Sequence, residues 1–194
     1  MLVRVLPDSP VTVTHVGPVF RVERHIVTTT RDAVVHETVR DVVRHPGAVT
    51  VVALRDDGVL ILVRNRRIAV AQWLLEFCAG KLERGEAPIL AAARELEEET
   101  GYSAGKIESL GAFYTSPGFT DELMHVFLAT ALRAVPQRLE PGEELEVVEI
   151  TQPELAHMIA RGEILDGKTL GAYLLWTHHA SNHHTLNEAA RGKS

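Results

Sequence analysis

The sequence predicts an α+β protein built on a mixed sheet, with a small antiparallel β element at its N-terminal side. Three observations point there. Short β-branched runs recur along most of the chain, one strongly amphipathic helix interrupts them, and strands and helices do not alternate in the regular βαβ manner of a doubly wound sheet. The 194 residues suffice for one domain of ordinary size with a substantial core, or for one domain with a small appended element. Hydrophobic residues at 45% and charged residues at 24% place the chain among folded globular proteins and exclude coiled coil and collagen.

In chain order, residues 19–22, 26–30 and 33–39 read as antiparallel strands separated by charged or turn residues. His45-Pro46-Gly47 is the first strong punctuation. It precedes an apolar strand at 48–54, a turn at Asp56-Asp57-Gly58 and a returning strand at 59–63. Residues 73–78 form a further apolar stretch, interrupted by Glu76, that runs into Ala79-Gly80 and a polar loop. Pro88 then opens an Ala- and Leu-rich helix that reaches Thr100, with Gly101 as its stop. Strands follow at 110–114 and 125–131, flanking the loop 115–122. After the acidic loop 140–144 come a strand at 145–150 and helices at 153–161, capped by Thr151, and at 170–178. The domain reading is a β element at 1–46, a main domain at 47–180 and a polar, frayed tail at 181–194.

Charge and cysteine content narrow the function. A net charge of −6 argues against a broad grip on nucleic acid, which needs a basic face to neutralise phosphates. Cys78 is the sole cysteine, so no internal disulfide forms and a cytoplasmic, reducing compartment is the expectation. Apolar runs fall short of the roughly 20 residues a membrane-spanning helix needs, and residues 1–10 lack a signal-peptide core. A soluble protein without membrane contact is expected.

The segment with chemical content lies between Gly80 and Tyr102. At 100° per residue, Glu95, Glu98 and Glu99 share one helical face, with Ile89, Ala92, Ala93 and Leu96 on the adjacent apolar face. Three carboxylates on one face repel one another by roughly 0.2–0.5 kcal/mol per exposed pair. A hard divalent cation compensates naturally, because Mg²⁺ prefers oxygen ligands and keeps positions for water and phosphate. Arg94 is placed to hold a neighbouring carboxylate. Such a helix end, taken alone, is more often a solvated face; its surroundings decide otherwise.

Gly80, Glu86, Arg94, Glu95, Glu98, Glu99 and Gly101 match every fixed letter of G-x5-E-x7-R-E-U-x-E-E-x-G-U, where U is a bulky apolar residue. At ordinary residue frequencies, a chance match to seven letters falls below about one in ten million per starting position. Tyr102 fills the last apolar position with a hydroxyl added. The segment resembles the Nudix box, and the weaker likeness extends from about Phe20 to Tyr173.

That resemblance implies a Nudix α/β/α sandwich in which the box glutamates bind metal beside a pyrophosphate. Glu95 and Glu99 would be the main Mg²⁺ ligands, with Mn²⁺ as a substitute, Glu98 a further ligand or metal-water contact, and the Ala79 carbonyl another. A general base would come from a loop glutamate, Glu143 or Glu144, although an acidic loop alone is more often a solvated turn. Ser116-Pro117-Gly118-Phe119-Thr120-Asp121-Glu122 resembles the loop of the ADP-ribose pyrophosphatase-like subgroup, whose proline stands about fifteen positions beyond the box. Ser116, Gly118, Phe119 and Glu122 are therefore substrate-binding candidates. Leu75 to Gly80 resembles the subgroup's LELPAG approach with Cys78 in place of proline, which adds Glu76 and Gly80. Asn65-Arg66-Arg67 resembles its Q-Y-R, giving Arg67 a phosphate or ribose; a lone surface arginine is otherwise solubilising.

The expected reaction is Mg-dependent hydrolysis of ADP-ribose to AMP and ribose 5-phosphate. The alternatives are another nucleoside diphosphate sugar, such as GDP-mannose, or an ADP-ribose sensor without turnover, against which the intact box argues. The resemblance also implies a homodimer formed through the N-terminal strands, with Phe20, Arg21 and Glu23 near the base by positional analogy. His178, His179, His183 and His184 are not read as a metal site, because imidazole clusters suit zinc or nickel.

Overall fold

The computed structural model describes residues 11–31 and 34–191 of the chain. They divide into two compact units, the described part of Met1–Gly47 with Tyr114–Leu123, and Ala48–Phe113 with Met124–Ser194.

The first unit holds a three-stranded antiparallel sheet of β1 (Val11–Val16), β2 (Arg21–Arg31) and β3 (Val34–Arg44), in that order. The two runs expected at 26–30 and 19–22 belong to one continuous strand. Register with β3 holds without interruption from Arg21↔Arg44 to Arg31↔Val34, and the intervening charged residues do not break the strand: Arg24 pairs with Asp41 at the surface, while Glu23 is buried against Arg44. The expectation for residues 1–10 falls outside the described residues.

The second unit is organised around β4 (Ala48–Leu54), β5 (Val59–Arg67), β6 (Gln72–Glu76), β7 (Cys78–Lys81), β8 (Tyr102–Tyr114), β9 (Leu123–Ala134) and β10 (Leu145–Thr151). The sheet order is β10-β5-β4-β9-β8, with β6 paired to β5 and β7 paired to β4. β4 runs parallel to β9 and antiparallel to β5 and β7, so the sheet is mixed. The stretch expected as one strand at 73–78 breaks at Phe77, its halves hydrogen-bonding two different neighbours. β8 is far longer than its expected five residues. Its first part, Tyr102 to Leu110, carries a glycine and several polar side chains and so lacks a strand signature.

Strand alternation produces two cores. Val49, Val51, Ala53, Ile61, Val63, Phe127 and Ala129 face helix α1 (Pro88–Thr100), through its Ala91, Ala92 and Leu96. Val52, Leu60, Leu62, Val126, Leu128 and Ile150 face the opposite side. There they meet Leu155 of α2 (Gln152–Ala160) and Ala172 and Trp176 of α3 (Gly167–Arg191). Burial on both faces explains why β4 and β5 read as unbroken apolar runs, and the layering is α/β/α.

α1 begins at Pro88 and ends where Gly101 adopts φ +70°, as its sequence predicts. Its buried stripe is shifted from the expected one: Ile89 is 46% exposed, while Ala91 is buried. The helix is turned so that Glu95 and Glu99 lie against the protein, which carries Ile89 outward. Thr151 caps α2 in a reciprocal capping box with Glu154. α3 runs to Arg191, past the expected stop near residue 178 and through most of the segment expected as a frayed tail. The side chains of His183 and His184 are outside the described residues. Among the described residues, no helix is long and apolar enough to cross a membrane.

Candidate active site

β7 and α1 meet at the box. Ala79 donates its backbone N–H to Glu99 Oε2 at 3.0 Å, fixing a carboxylate that is only 4% exposed. Gly80, next along β7, lies directly under Glu95: a Cβ there would fall 1.9 Å from the Glu95 carboxyl carbon. Glycine is thus demanded by contact, since any side chain would occupy the space of the carboxylate. Glu95 is itself buried.

Arg94 gathers the remaining acids. Its Nη1 donates to Glu95 Oε1 at 2.7 Å and to Glu98 Oε2 at 3.2 Å. Its Nε and Nη2 grip Glu86 at 3.1 and 3.0 Å, and Nη2 also reaches the Lys81 carbonyl. Glu86 accepts in turn from the Glu83 N–H, which ties the loop before α1 to the same guanidinium. The C-terminal end of α1 is closed by the chain following β9. Gln137 Nε2 donates to the Glu99 carbonyl at 2.6 Å, and the Arg138 N–H donates to that of Glu98.

Three carboxylates, those of Glu86, Glu95 and Glu98, thus stand around one guanidinium, and Glu99 is held apart from it by the Ala79 N–H. Burial pushes the Glu99 carboxyl up to about 8, with the charges of Glu95 and Glu143 adding to the rise and the Ala79 N–H and Arg67 opposing it. Burial also raises Glu95, against the pull of Arg94. By contrast, the Arg94 hydrogen bonds hold Glu86 below the usual range. Glu95 and Glu99 are the two under-compensated acids, and both are hard oxygen donors, so the residues fit a divalent cation. Among the described residues, no three His, Cys, Asp or Glu side chains converge as a ready-made metal cage.

Glu143 and Glu144 are both exposed in the loop before β10, where Glu143 Oε2 accepts from the Glu140 N–H at 2.8 Å. The charge of Glu143 is felt at both Glu95 and Glu99. Cys78 is fully buried in the core, and burial pushes its thiol well up, so it is a packing residue.

Arg67 and Glu76 form a bidentate pair, Nε to Oε1 at 3.0 Å and Nη2 to Oε2 at 2.7 Å. Glu76 is 1% exposed, so it stands behind Arg67 rather than open to solvent. Lys168 of α3, with no motif to single it out in sequence, closes on the same Glu76 carboxylate.

Ser116, Gly118, Phe119 and Glu122 lie in the first unit. Ser116 accepts from the N–H groups of Phe119 and Thr120, and Val43 of β3 donates to the Phe119 carbonyl at 2.8 Å. Asp121 takes the His45 N–H and Arg44 Nη1, and Arg44 Nε also donates to Glu23 at 2.7 Å. Glu122 accepts from the Thr115 hydroxyl at 2.7 Å. Phe119 is 56% exposed, and a Cβ on Gly118 would meet no atom within 4 Å. Arg44, Gln137 and Lys168 carried no motif signal, since each acts through a partner distant in sequence.

Comparison with known proteins agrees with this geometry. The family model described as the NUDIX domain matches residues 44–170. The chain is 46% identical over 132 residues to an ADP-ribose pyrophosphatase of Bacillus subtilis, covering 67% of this chain and 71% of that one. It is 35% identical over 149 residues to a GDP-mannose pyrophosphatase of Citrobacter koseri, covering 67% and 76%. The crystal structure of an ADP compounds hydrolase superposes with a TM-score of 0.74 over 90% of this chain and 93% of that one. At 24% identity, this likeness is one of fold.

Proposed function

Because the chain belongs to the NUDIX family, we propose that it hydrolyses the pyrophosphate bond of ADP-ribose to AMP and ribose 5-phosphate, with Mg²⁺ as cofactor and Mn²⁺ as a substitute. The observation that carries the reading is the buried pair Glu95 and Glu99, packed against the Gly80 backbone and short of compensating charge. The 46% identity to an ADP-ribose pyrophosphatase supports the choice of substrate.

Glu95, Glu99 and the Ala79 carbonyl would hold the cation, with Glu98 as a further ligand. Bound there, it supplies neutralisation of the phosphate oxygens and acidification of water for in-line attack at phosphorus. Arg94 holds the Glu95 and Glu98 carboxylates in place. Glu143, whose charge already reaches both buried acids, serves as general base in preference to Glu144. Arg67, backed by Glu76, contacts the diphosphate, while Gly80 leaves room for the Glu95 carboxylate. Ser116, Gly118, Phe119 and Glu122 are proposed as substrate-binding residues from the resemblance of their loop; Gly118 is open on the side where a Cβ would stand, and Phe119 offers an exposed ring. We assign the protein to the cytoplasm, as a homodimer acting on a small molecule and binding neither nucleic acid nor membrane. A net charge of −6 and a buried lone cysteine support this.

The test is product analysis with Mg²⁺ against ADP-ribose, GDP-mannose, NADH, diadenosine polyphosphates and nucleoside triphosphates, with Glu99→Gln as the blank. AMP and ribose 5-phosphate are expected, with ADP-ribose the preferred substrate and turnover at least about 100-fold lower in the variant. GDP-mannose is the second reading, favoured by the Citrobacter koseri relative; its preferential cleavage would replace the substrate and keep the chemistry. Tight ADP-ribose binding without turnover of any compound would sink the enzymatic reading.

A further inference from the structure

Beyond the box, one buried polar network stands behind Arg67. Glu76, 1% exposed at the end of β6, accepts two hydrogen bonds from Arg67 and one from Lys168 Nζ. The Lys168 side chain is 10% exposed and also pairs with Asp166 at 2.9 Å. Asp166 accepts from both the backbone N–H and the hydroxyl of Thr169, at 2.9 and 2.6 Å, and so stabilises the first turn of α3. The Thr169 hydroxyl accepts from the Phe77 N–H at 3.0 Å. Phe77 is the residue at which the chain leaves β6 for β7, two positions before Ala79.

The fork of Arg67 has a direction. Glu76 occupies Nε and Nη2, one edge of the guanidinium, and leaves Nη1 on the other edge with no partner among the described residues. The side chain is 42% exposed and lies within electrostatic reach of Glu99. A guanidinium held along one edge can present its free N–H groups to a phosphate oxygen in a fixed orientation. Glu76 alone would be a buried anion with a single cation, free to follow Arg67 when it moves. Lys168 anchors that anion from behind.

We propose that Lys168 is a positioning residue for substrate binding: through Glu76 it fixes the Arg67 guanidinium so that Nη1 faces the diphosphate, while Asp166 and Thr169 hold Lys168 and Phe77 in one frame. This rests on the reading of the site as a nucleoside diphosphate pyrophosphatase. Lys168 touches no substrate; its effect passes through Arg67. A support of this kind acts on ground-state and transition-state binding alike, so it changes KM more than kcat.

The experiment is a double-mutant cycle on the full chain with the substrate that the wild-type protein turns over best, using Lys168→Met, Arg67→Ala and the pair, with Lys168→Gln as a milder variant. Thermal melts check folding. Lys168→Met is expected to raise KM about tenfold with kcat within about threefold, and to have no further effect once Arg67 is alanine. Equal KM rises with and without Arg67, or an unchanged KM, would overturn the proposal. A readout without substrate is the Arg67 Nε–H signal in nitrogen-edited NMR. It is expected sharp and slowly exchanging in the wild-type protein and fast-exchanging in whichever Lys168 variant folds. A fast-exchanging signal in the wild-type protein refutes the anchoring whatever the variants do. Absence of turnover on every substrate, with the NMR result as expected, would discard the pyrophosphatase reading and keep the anchored arginine.

Discussion

At the scale of single residues, the site is built from close approach more than from special backbone geometry. Gly80 illustrates this: it is glycine because the Glu95 carboxylate occupies the place of its Cβ. The backbone could carry alanine, since the residue has no left-handed φ. A methyl group there would be accommodated by swinging the Glu95 carboxylate away, which is cheap for a side-chain end but displaces a cation ligand and breaks its 2.7 Å bond to Arg94. Gly80→Ala should therefore melt within a few degrees of the wild-type protein while kcat falls about 100-fold and the Mg²⁺ requirement shifts to higher concentration; misplacement by about 1 Å costs this much. Steady-state kinetics across a Mg²⁺ titration would check it. A large loss of stability with normal kcat in the folded fraction would show that Gly80 serves the fold instead.

At the scale of elements, legibility followed the nature of the signal. The approximate start and stop of α1 and its carboxylate spacing were readable because all are local, at Pro88, Gly101 and the repeat at Glu95 and Glu99, whereas its buried stripe was not. β4 and β5 were readable as apolar runs for the same reason. The split of 73–78 into β6 and β7 was not, because it depends on which neighbours pair with each half, and neither was the length of β8, whose partners supply what its own composition lacks. Of the site, the box acids and Arg94 were legible, while Gln137, which closes on the Glu99 carbonyl, and Lys168, which closes on Glu76, were not. The same holds in the first unit, where Glu23 of β2 collects Arg21, Arg44 and His25 although nothing in its sequence surroundings announces it. Arg44 of β3 hands the chain of ion pairs on to Asp121. The Arg44 hydrogen bond, with Arg21 assisting, holds the Glu23 carboxyl down at about 2, below its ordinary 4.5. A depressed carboxylate contributes stability that is present above about pH 4.5 and lost as the pH falls towards 2. Glu23→Gln should lower the melting temperature at pH 7, and the gap to the wild-type protein should close between pH 4.5 and 2. A gap that persists unchanged at pH 2 would mean that the glutamate acts through packing and not through its charge.

At the scale of the whole molecule, the first unit poses a question that its own residues do not answer. By pairing register Val11, Val13, Val16 and Val34 of β1 and β3 share one face of a sheet of only three strands, each exposed by half or more. So small a sheet gains little from burying its own side chains and needs cover on a hydrophobic face. A second copy of the chain is the simplest cover, because a two-fold axis lets one apolar surface be its own partner. The homodimer proposed above makes a definite prediction. The wild-type protein should scatter light at twice 21.4 kDa at micromolar concentration, and its melting temperature should rise with concentration, since association stabilises the folded form by mass action. Val13→Glu combined with Val16→Glu puts charge into the apolar surface without touching the box, and should yield a monomer whose melting temperature no longer depends on concentration. If the wild-type protein is already monomeric under these conditions, the valines need another cover and the homodimer reading fails. If the double variant remains a dimer, the two copies meet through a surface other than these strands.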